Sequence, residues 1–354
     1  MIQDGIVTVH HEALRRQVAA LFHALGVPEG DADVAADVLV QADLRGVESH
    51  GVSNYINLIY VPGLKAGNIN PHPRIHVEHA RHATAVINGD GGLGMVVGHF
   101  AMSEAIHLAR DAGAAWVTAR NSRHFGMAGY YAMMALEHDM IGFSFTNAGP
   151  LQVPTYGRQP MLGTNPIAFA APAGEEWPFV LDMATSTVAI GKVIGAMRTG
   201  GLIPLGWAVD SEGRPTSDAG AAVQARALMP LGGAAETGGY KGYGLATMVD
   251  ILSGVLSGAG FSAALAGGEV GHCFGAICID AFRPAAEFKS TMDEAIRALR
   301  NSAKAEGAER IYVAGEKEFE TERERRTNGI PLHPEVVETL RRLSDEAKAP
   351  WTLT

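Results

Sequence analysis

The sequence predicts an α+β protein in which a helical start and a helical end flank a mixed α/β centre. Three observations predict it. Residues 8 to 45 carry apolar side chains at helical spacing. The stretch RIHVEHARHATAVING (74–89) then alternates as strands do. Beyond residue 290 the pattern returns to helix.

The elements follow in order. Thr8 can cap a first helix, and Pro28 with Gly30 separates it from a second. In the second, Ala35, Val38, Leu39 and Ala42 recur at i, i+3, i+4 and i+7, one buried stripe. Gly46 is a natural stop after Arg45. The loop VESHG leads into an apolar helix, Tyr55 to Leu64. After the 74–88 strands come a helix (94–112), a strand (114–119), the loop NSRHFG, a helix (127–138) and the strand MIGFSFTN. Residues 150 to 235 are rich in Gly and Pro and read as strands with long loops. GYKGYG opens a helix at about 244–256, and CFGAICIDAF reads as a strand. The tail gives a helix over 290–306, a strand RIYVAG and helices to Lys348. The two helical ends are expected to pack together as one discontinuous domain.

With 354 residues, 47% hydrophobic and 19% charged, the chain has globular composition and material for a large core. A net charge of -10 and the lack of a basic run argue against nucleic-acid binding; Arg323 to Arg326, interrupted by Glu324, reads as a solvated helix face. No run of about twenty apolar residues predicts a membrane span. The N-terminus lacks the basic-then-apolar order of a signal peptide, so a cytoplasmic protein is expected. Cys273 and Cys278 lie an odd number apart in a strand and are expected as core residues. His72, His76, His79 and His82 lack a convergent carboxylate or thiolate, so no metal site is expected.

Gly89, Gly91 and Gly94 spell G-x-G-x-x-G between a strand and a helix. A dinucleotide-binding unit would place an acid at the end of the next strand to hold the ribose. Here that strand ends in Arg120 and Asn121. The glycines read instead as a tight turn with a close helix approach.

Five constellations could carry chemistry. In ADLRGVESHGV, Arg45 could fork onto a carboxylate while His50, beside Ser49, passes a proton; the bland alternative pairs Arg45 with Glu48. In NSRHFGMAGYY, His124 lies in a strand-to-helix loop, where sites concentrate, with Ser122 available as a cap. Asn147, Thr164 and Asn165 could bind an amide such as a carboxamide, or brace turns. In LDMATSTVAIGKV, Asp182 could accept from ribose hydroxyls and Ser186 and its neighbours could hold phosphate, or the group caps a helix. In GGYKGYG, Lys241 and a helix start suit a pyrophosphate, or the loop is simply mobile and solvated.

Together with KGYGLATMVDILSGVLSGA and VAGEKEFETERERRTNGIPL, these segments resemble, in order and over nearly the whole chain, the malate/L-sulfolactate dehydrogenase family. These are the type-2 malate/L-lactate dehydrogenases, a family that also contains ureidoglycolate dehydrogenases and piperideine-2-carboxylate reductases. The resemblance implies a fold outside the Rossmann group. A helical domain would be built from 1–75 and 288–354, a central α/β part from 76–120 and 235–287, and a cofactor-binding part from 121–234 around a mixed, largely antiparallel sheet. It implies NAD or NADP as hydride carrier, no metal, a small carboxylate substrate and a homodimer. The activity implied is hydride transfer with a 2-oxo or 2-hydroxy acid of the malate, lactate or sulfolactate type; reduction of a cyclic imino acid or oxidation of ureidoglycolate is the alternative. His50 and His124 match two histidines given the proton-transfer role in the family, and the choice between them stays open. Arg45 would hold the substrate carboxylate, with Ser49, Asn147 and Thr164 nearby. His124, Asn165, Asp182, Met183, Ala184, Ser186, Tyr240, Lys241, Gly315 and Glu316 match cofactor-contacting stretches. Ala148 departs from the pattern, standing where relatives carry Ser or Thr.

Overall fold

The computed structural model describes residues 2–3 and 5–353. The chain opens with β1 (Ile2–Gln3), β2 (Ile6–Val9), α1 (His11–Ala24) and α2 (Glu29–Leu44). Thr8 is not the cap expected for α1. It lies within β2, extended by pairing with the C-terminal strand, and the His10 ring accepts from Glu12 N at 3.3 Å instead. The stripe Ala35, Val38, Leu39 and Ala42 is fully buried, as its spacing requires. A 3-10 turn (Glu48–His50) follows α2. The single apolar helix expected next is three pieces: α3 (Val52–Tyr55), a π-helical turn (Ile56–Tyr60) and α4 (Val61–Lys65).

The centre runs β3 (His76–Arg81), β4 (Thr84–Asn88), α5 (Gly94–Ala112), β5 (Ala114–Ser122), α6 (Ala128–Met134), β6 (Met140–Thr146), β7 (Ile167–Ala171) and β8 (Phe179–Met183). Then come α7 (Ile190–Arg198), β9 (Ala208–Val209), β10 (Pro215–Thr216), α8 (Ala219–Ala225), α9 (Gly239–Asp250) and β11 (Val270–Cys278). The main sheet has the order β3-β4-β5-β11-β6-β7-β8. β4 and β5 pair in parallel around the α5 crossover, and the remaining neighbours pair antiparallel. The sheet is therefore mixed and largely antiparallel. α5 and α6 cover one face, burying Ile87, Val117 and Phe274 with Met102, Ala105 and Tyr131.

Several local readings shift. α7 and α8 were not expected, because glycines and small residues thin out their apolar stripes. α9 starts earlier than Gly244, since the bare Gly242 lets the helix press on Leu231: a Cβ there would stand 2.2 Å from the Leu231 carbonyl. Gly89 N and Gly91 N donate to Arg120 O and Asn121 O at 2.9 and 2.8 Å, and a Cβ on Gly94 would stand 1.8 Å from Arg123 O. The G-x-G-x-x-G glycines thus seat the start of α5 against the loop that carries His124.

The tail forms α10 (Ala285–Arg300), α11 (Glu316–Asn328), β12 (Ile330–Leu332) and α12 (Pro334–Ala347). RIYVAG is not a strand: Ala314 O takes a single bond from Val180 N at 3.1 Å, and Val313 N goes to the Glu316 carboxylate. One core joins both chain ends, with Leu14, Val18 and Leu39 packed in the same cluster as Ile330, Leu340 and Leu343. Gln17 stitches the terminus to it through Ser344 Oγ (3.0 Å), Pro350 O (3.1 Å) and Thr352 N (2.6 Å).

Candidate active site

Two imidazoles meet between the helical part and the sheet. His50 closes the 3-10 turn after α2, and His124 sits in the loop from β5 to α6. Their rings stack 5.7 Å apart with 14° between planes. Tyr55 lies 4.3 Å from His124, and the Tyr60 hydroxyl is 2.7 Å from His124 Nδ1. On a regular α-helix, residues five apart diverge by about 140°. The wider π turn over Ile56–Tyr60 brings both tyrosines to the same imidazole, and such turns recur at functional sites. Behind His124, the Phe125 ring is stacked between His272 (4.6 Å) and Tyr131 (4.8 Å). His272 in turn is held by Ser122 Oγ and Thr146 Oγ1, each at 2.8 Å.

The hydrogen bonds distinguish the two histidines. Burial pushes the Tyr60 phenol well above its usual pKa, so it remains an O–H donor. Gly126 N also donates to His124 Nδ1, at 3.3 Å. With two donors aimed at it, Nδ1 must present its lone pair, and the ring proton sits on Nε2. His50 Nδ1 faces the Ser49 hydroxyl at 2.9 Å, which can accept as well as donate. His50 can therefore hold a proton on Nδ1 while Nε2 gains or loses one. Burial lowers the His50 pKa to about 4. Burial, helped by His50 and His272, lowers that of His124 to about 3. Both rings keep some solvent contact, and both are neutral at pH 7.

Asp182, at the end of β8, accepts from Gly129 N at 2.7 Å. The side chain is solvent-exposed, yet protein packed around the carboxyl pushes its pKa up to about 6 against the opposing Gly129 N–H and Arg45 charge.

A family model described as malate/L-lactate dehydrogenase matches residues 9–341. The malate dehydrogenase of Pyrococcus horikoshii is 46% identical over 349 residues, covering 97% of this chain and 96% of the relative. The L-sulfolactate dehydrogenase of Methanocaldococcus jannaschii is 40% identical, covering 94% and 95%. The crystal structure of malate dehydrogenase from Entamoeba histolytica superposes with a TM-score of 0.93 at 35% identity, covering 98% and 99%. The chain belongs to the malate/L-lactate dehydrogenase family. It is accordingly an oxidoreductase acting on CH–OH groups with a nicotinamide cofactor. Other relatives bear the names ureidoglycolate dehydrogenase (NAD(+)), (2R)-3-sulfolactate dehydrogenase (NADP(+)) and delta1-piperideine-2-carboxylate reductase.

As a member of this family, the chain keeps some expected site residues open and ties up others. Tyr240 and Lys241 stand exposed at the start of α9, with the Lys241 ammonium 5.9 Å from the Tyr240 ring. Met183 and Ala184 are half-buried beside Asp182, Thr164 keeps partial exposure, and Ser49 is exposed. By contrast, Asn147 is fully buried and braced by Asp250 Oδ1, Gly260 O and Gly271 N, all at 2.9 Å. Asn165, also fully buried, accepts from Ala148 N and donates to Ala246 O. The Ser186 hydroxyl goes to Val188 O at 2.9 Å. The Glu316 carboxylate is held by Arg300 and Arg310, while Gly315 packs on Val180. Each of these four polar side chains is engaged by protein partners that brace the fold around it.

Arg45 is engaged by protein through one of its two terminal nitrogens. Its Nη1 lies 2.8 Å from Glu322 Oε2, its guanidinium stacks 4.1 Å from the Phe319 ring, and the residue is 4% exposed. Its Nη2 is buried and, among the described residues, has no hydrogen-bond partner. Arg45 is a latch from α2 to α11. The bland pairing with Glu48 is not made either, because Glu48 bonds Arg325 at 2.7 Å.

Sequence reading missed Tyr55 and Tyr60, which it absorbed into an apolar helix. Two tyrosines five apart carry no helical signal, and the π turn that aligns them has no local sequence signature.

Proposed function

We propose that this dehydrogenase moves a hydride between nicotinamide C4 and a small 2-oxo or 2-hydroxy acid of the malate, lactate or sulfolactate type, with His50 as the acid/base and His124 as a fixed neutral donor. The observation that carries this reading is the pair of donors on His124 Nδ1 set against the single hydroxyl on His50 Nδ1. When bound, the nicotinamide supplies or takes the hydride at C4. In the oxidative direction His50 Nε2 accepts the substrate O–H proton while His124 Nε2–H donates to the same oxygen, steadying the developing charge. In the reductive direction His50 must first be protonated. Among the described residues no carboxylate contributes to the charge balance at either ring. A bound anionic substrate provides the missing negative charge and raises the His50 pKa toward neutrality.

The open groups Asp182, Met183, Ala184, Tyr240 and Lys241 fit a nicotinamide dinucleotide: a carboxylate for ribose hydroxyls, and an aromatic face with a cation for the remainder. Ser49, Thr164 and the Tyr55 hydroxyl are the polar groups left to meet the substrate. The helical ends (1–75, 288–354), a central part (76–120, 235–287) and a cofactor-holding part (121–234) are our division of the chain.

A homodimer is part of the proposal. Met248, Ile251, Val255 and Leu256 are 39% to 60% exposed along α9 and the π turn after it, beside a groove of about 410 Å³. Trp116 is half-open on the sheet face those elements contact. So much contiguous apolar surface favours a second copy. Among the described residues no helix is long and apolar enough to cross a membrane, in keeping with a cytoplasmic enzyme.

The test follows the loss of reduced-nicotinamide absorbance with NADH and NADPH, each offered with pyruvate, oxaloacetate, sulfopyruvate and a cyclic 2-imino acid. Turnover of an oxo acid is expected and names both substrate and cofactor. Turnover of the imine alone moves the protein to the reductase branch. Silence in every pairing refutes the oxo-acid assignment.

A further inference from the structure

Beneath the His50 loop lies a carboxyl that neither histidine touches. Asp43, in the last turn of α2, is fully buried. Its Oδ2 accepts from Val52 N at 2.9 Å. Val52 is the first residue of α3, two places beyond His50, and α3 carries Tyr55. The carboxylate therefore caps the helix at the point where the loop turns into it. Gly51 is pressed onto the same group: a Cβ there would fall 1.9 Å from Asp43 Oδ1. Among the described residues Oδ1 has no hydrogen-bond partner. Arg325 of α11 binds both ends of the loop, donating to Asp43 O at 2.5 Å and to Glu48 Oε1 at 2.7 Å. One buried side chain thus fixes the direction in which His50 leaves the loop and the start of the helix that brings Tyr55 and Tyr60 to His124.

We infer that Asp43 is the positioning residue for His50, its ionised carboxylate clamping the 48–52 loop so that the imidazole faces His124. This rests on His50 being the acid/base. An ionised acceptor makes a shorter and stronger bond to a backbone N–H than a protonated one. The charged groups facing Asp43 are Glu48 from the loop and Arg325 from α11. Burial and Glu48 push its pKa up to about 7, against the Val52 N–H and Arg325. The clamp therefore loosens as pH falls through about 7, and turnover falls with it.

The experiment compares wild type, Asp43→Asn, Asp43→Leu and His50→Ala as full-length enzymes. It reads kcat and KM for the oxo acid from pH 5.5 to 9, coenzyme affinity by fluorescence titration, and melting temperature. Asn keeps an oxygen for Val52 N but cannot ionise. Asp43→Asn should stay within about tenfold of wild-type kcat and lose the acid-side inflection, the fall in kcat as pH drops through about 7, while keeping the alkaline-side fall that loss of the His50 proton produces in the reductive direction. Asp43→Leu should lose about 10²-fold in kcat, the cost of a displacement near 1 Å at a reacting group. Coenzyme affinity should stay within about twofold in both. If Asp43→Leu does not fold, the Asn variant's pH profile decides alone. With His50→Ala inactive, an Asn profile that keeps the acid-side inflection, a wild-type profile that lacks it, or a fully active Leu variant overturns the role of Asp43 alone. A fully active His50→Ala instead overturns the acid/base assignment and this inference with it.

Discussion

Replacing Tyr60 by Phe removes one donor from His124 and leaves the ring packing in place. The Tyr60 hydroxyl is completely buried and bonds His124 Nδ1 at 2.7 Å, whereas the remaining donor, Gly126 N, is at 3.3 Å. A buried neutral hydrogen bond contributes about 1 kcal/mol net, and an acceptor left poorly satisfied adds about as much again, so stability should fall by about 1–2 kcal/mol. The same energy holds the proton on Nε2. With about 1.4 kcal/mol of that preference gone, the Nε2–H form becomes about tenfold less favoured. The variant should therefore lose about 10- to 30-fold in kcat, with little change in coenzyme affinity. Two assays check this: steady-state turnover with the preferred oxo acid, and nitrogen-15 imidazole spectra, which separate a protonated ring nitrogen from one bearing a lone pair. Wild-type His124 should show a lone-pair Nδ1, and the variant a mixture. Wild-type turnover in Tyr60→Phe, or a protonated Nδ1 in the wild type, would refute the division of labour between the histidines.

His50→Ala and His124→Ala should each lower kcat by about 10²-fold or more, and only His124→Ala should leave the ionisation of the acid/base in the pH profile; a variant with unchanged kcat removes that residue from the mechanism. Arg45→Met should cost about 2 kcal/mol of stability, less than the 3–5 typical of a broken buried pair because Arg326 still faces Glu322 at 2.7 Å. Its KM for the oxo acid should change by under about threefold, and a rise of about 10²-fold without loss of stability would restore Arg45 as a carboxylate anchor. Stability should fall on acidification below about pH 6.5. His272 has a folded pKa of about 3 against the ordinary 6.5, so the unfolded chain binds more protons between those values and acid favours unfolding. His50 and His124 act in the same direction. Asp43, raised to about 7 from 3.8, acts oppositely, its contribution fading as pH rises through that interval. Melting curves at pH 4.5, 5.5 and 7 should show a shallower acid limb for His272→Gln; an unchanged limb contradicts the buried neutral ring.

What could be read from the sequence was what short spacing determines. The buried stripe of α2 needs only the 3.6-residue period, and the failure of the G-x-G-x-x-G motif was visible because its acidic partner belonged a fixed distance away. The two histidines could be nominated, since each sits beside small or polar residues in a loop that ends a regular element. Their different protonation could not, because it depends on Tyr60 for one ring and Ser49 for the other, and Tyr60 is 64 residues from His124. The same limit explains why the protein partners of the other candidates could not be read from the sequence. Asn147, Asn165, Ser186, Glu316 and Arg45 have the side chains a ligand site needs, and four of them find partners in distant segments instead: Asn147 with Asp250, Asn165 with Ala246, Glu316 with Arg300, Arg45 with Glu322. A polar residue in a motif offers donors and acceptors; only the tertiary fold decides whether protein or ligand takes them. Asp43 shows the converse. It stands in the same motif as Arg45 and His50, but it reads as an ordinary helix-end acid until Gly51 and Val52 fold back onto it.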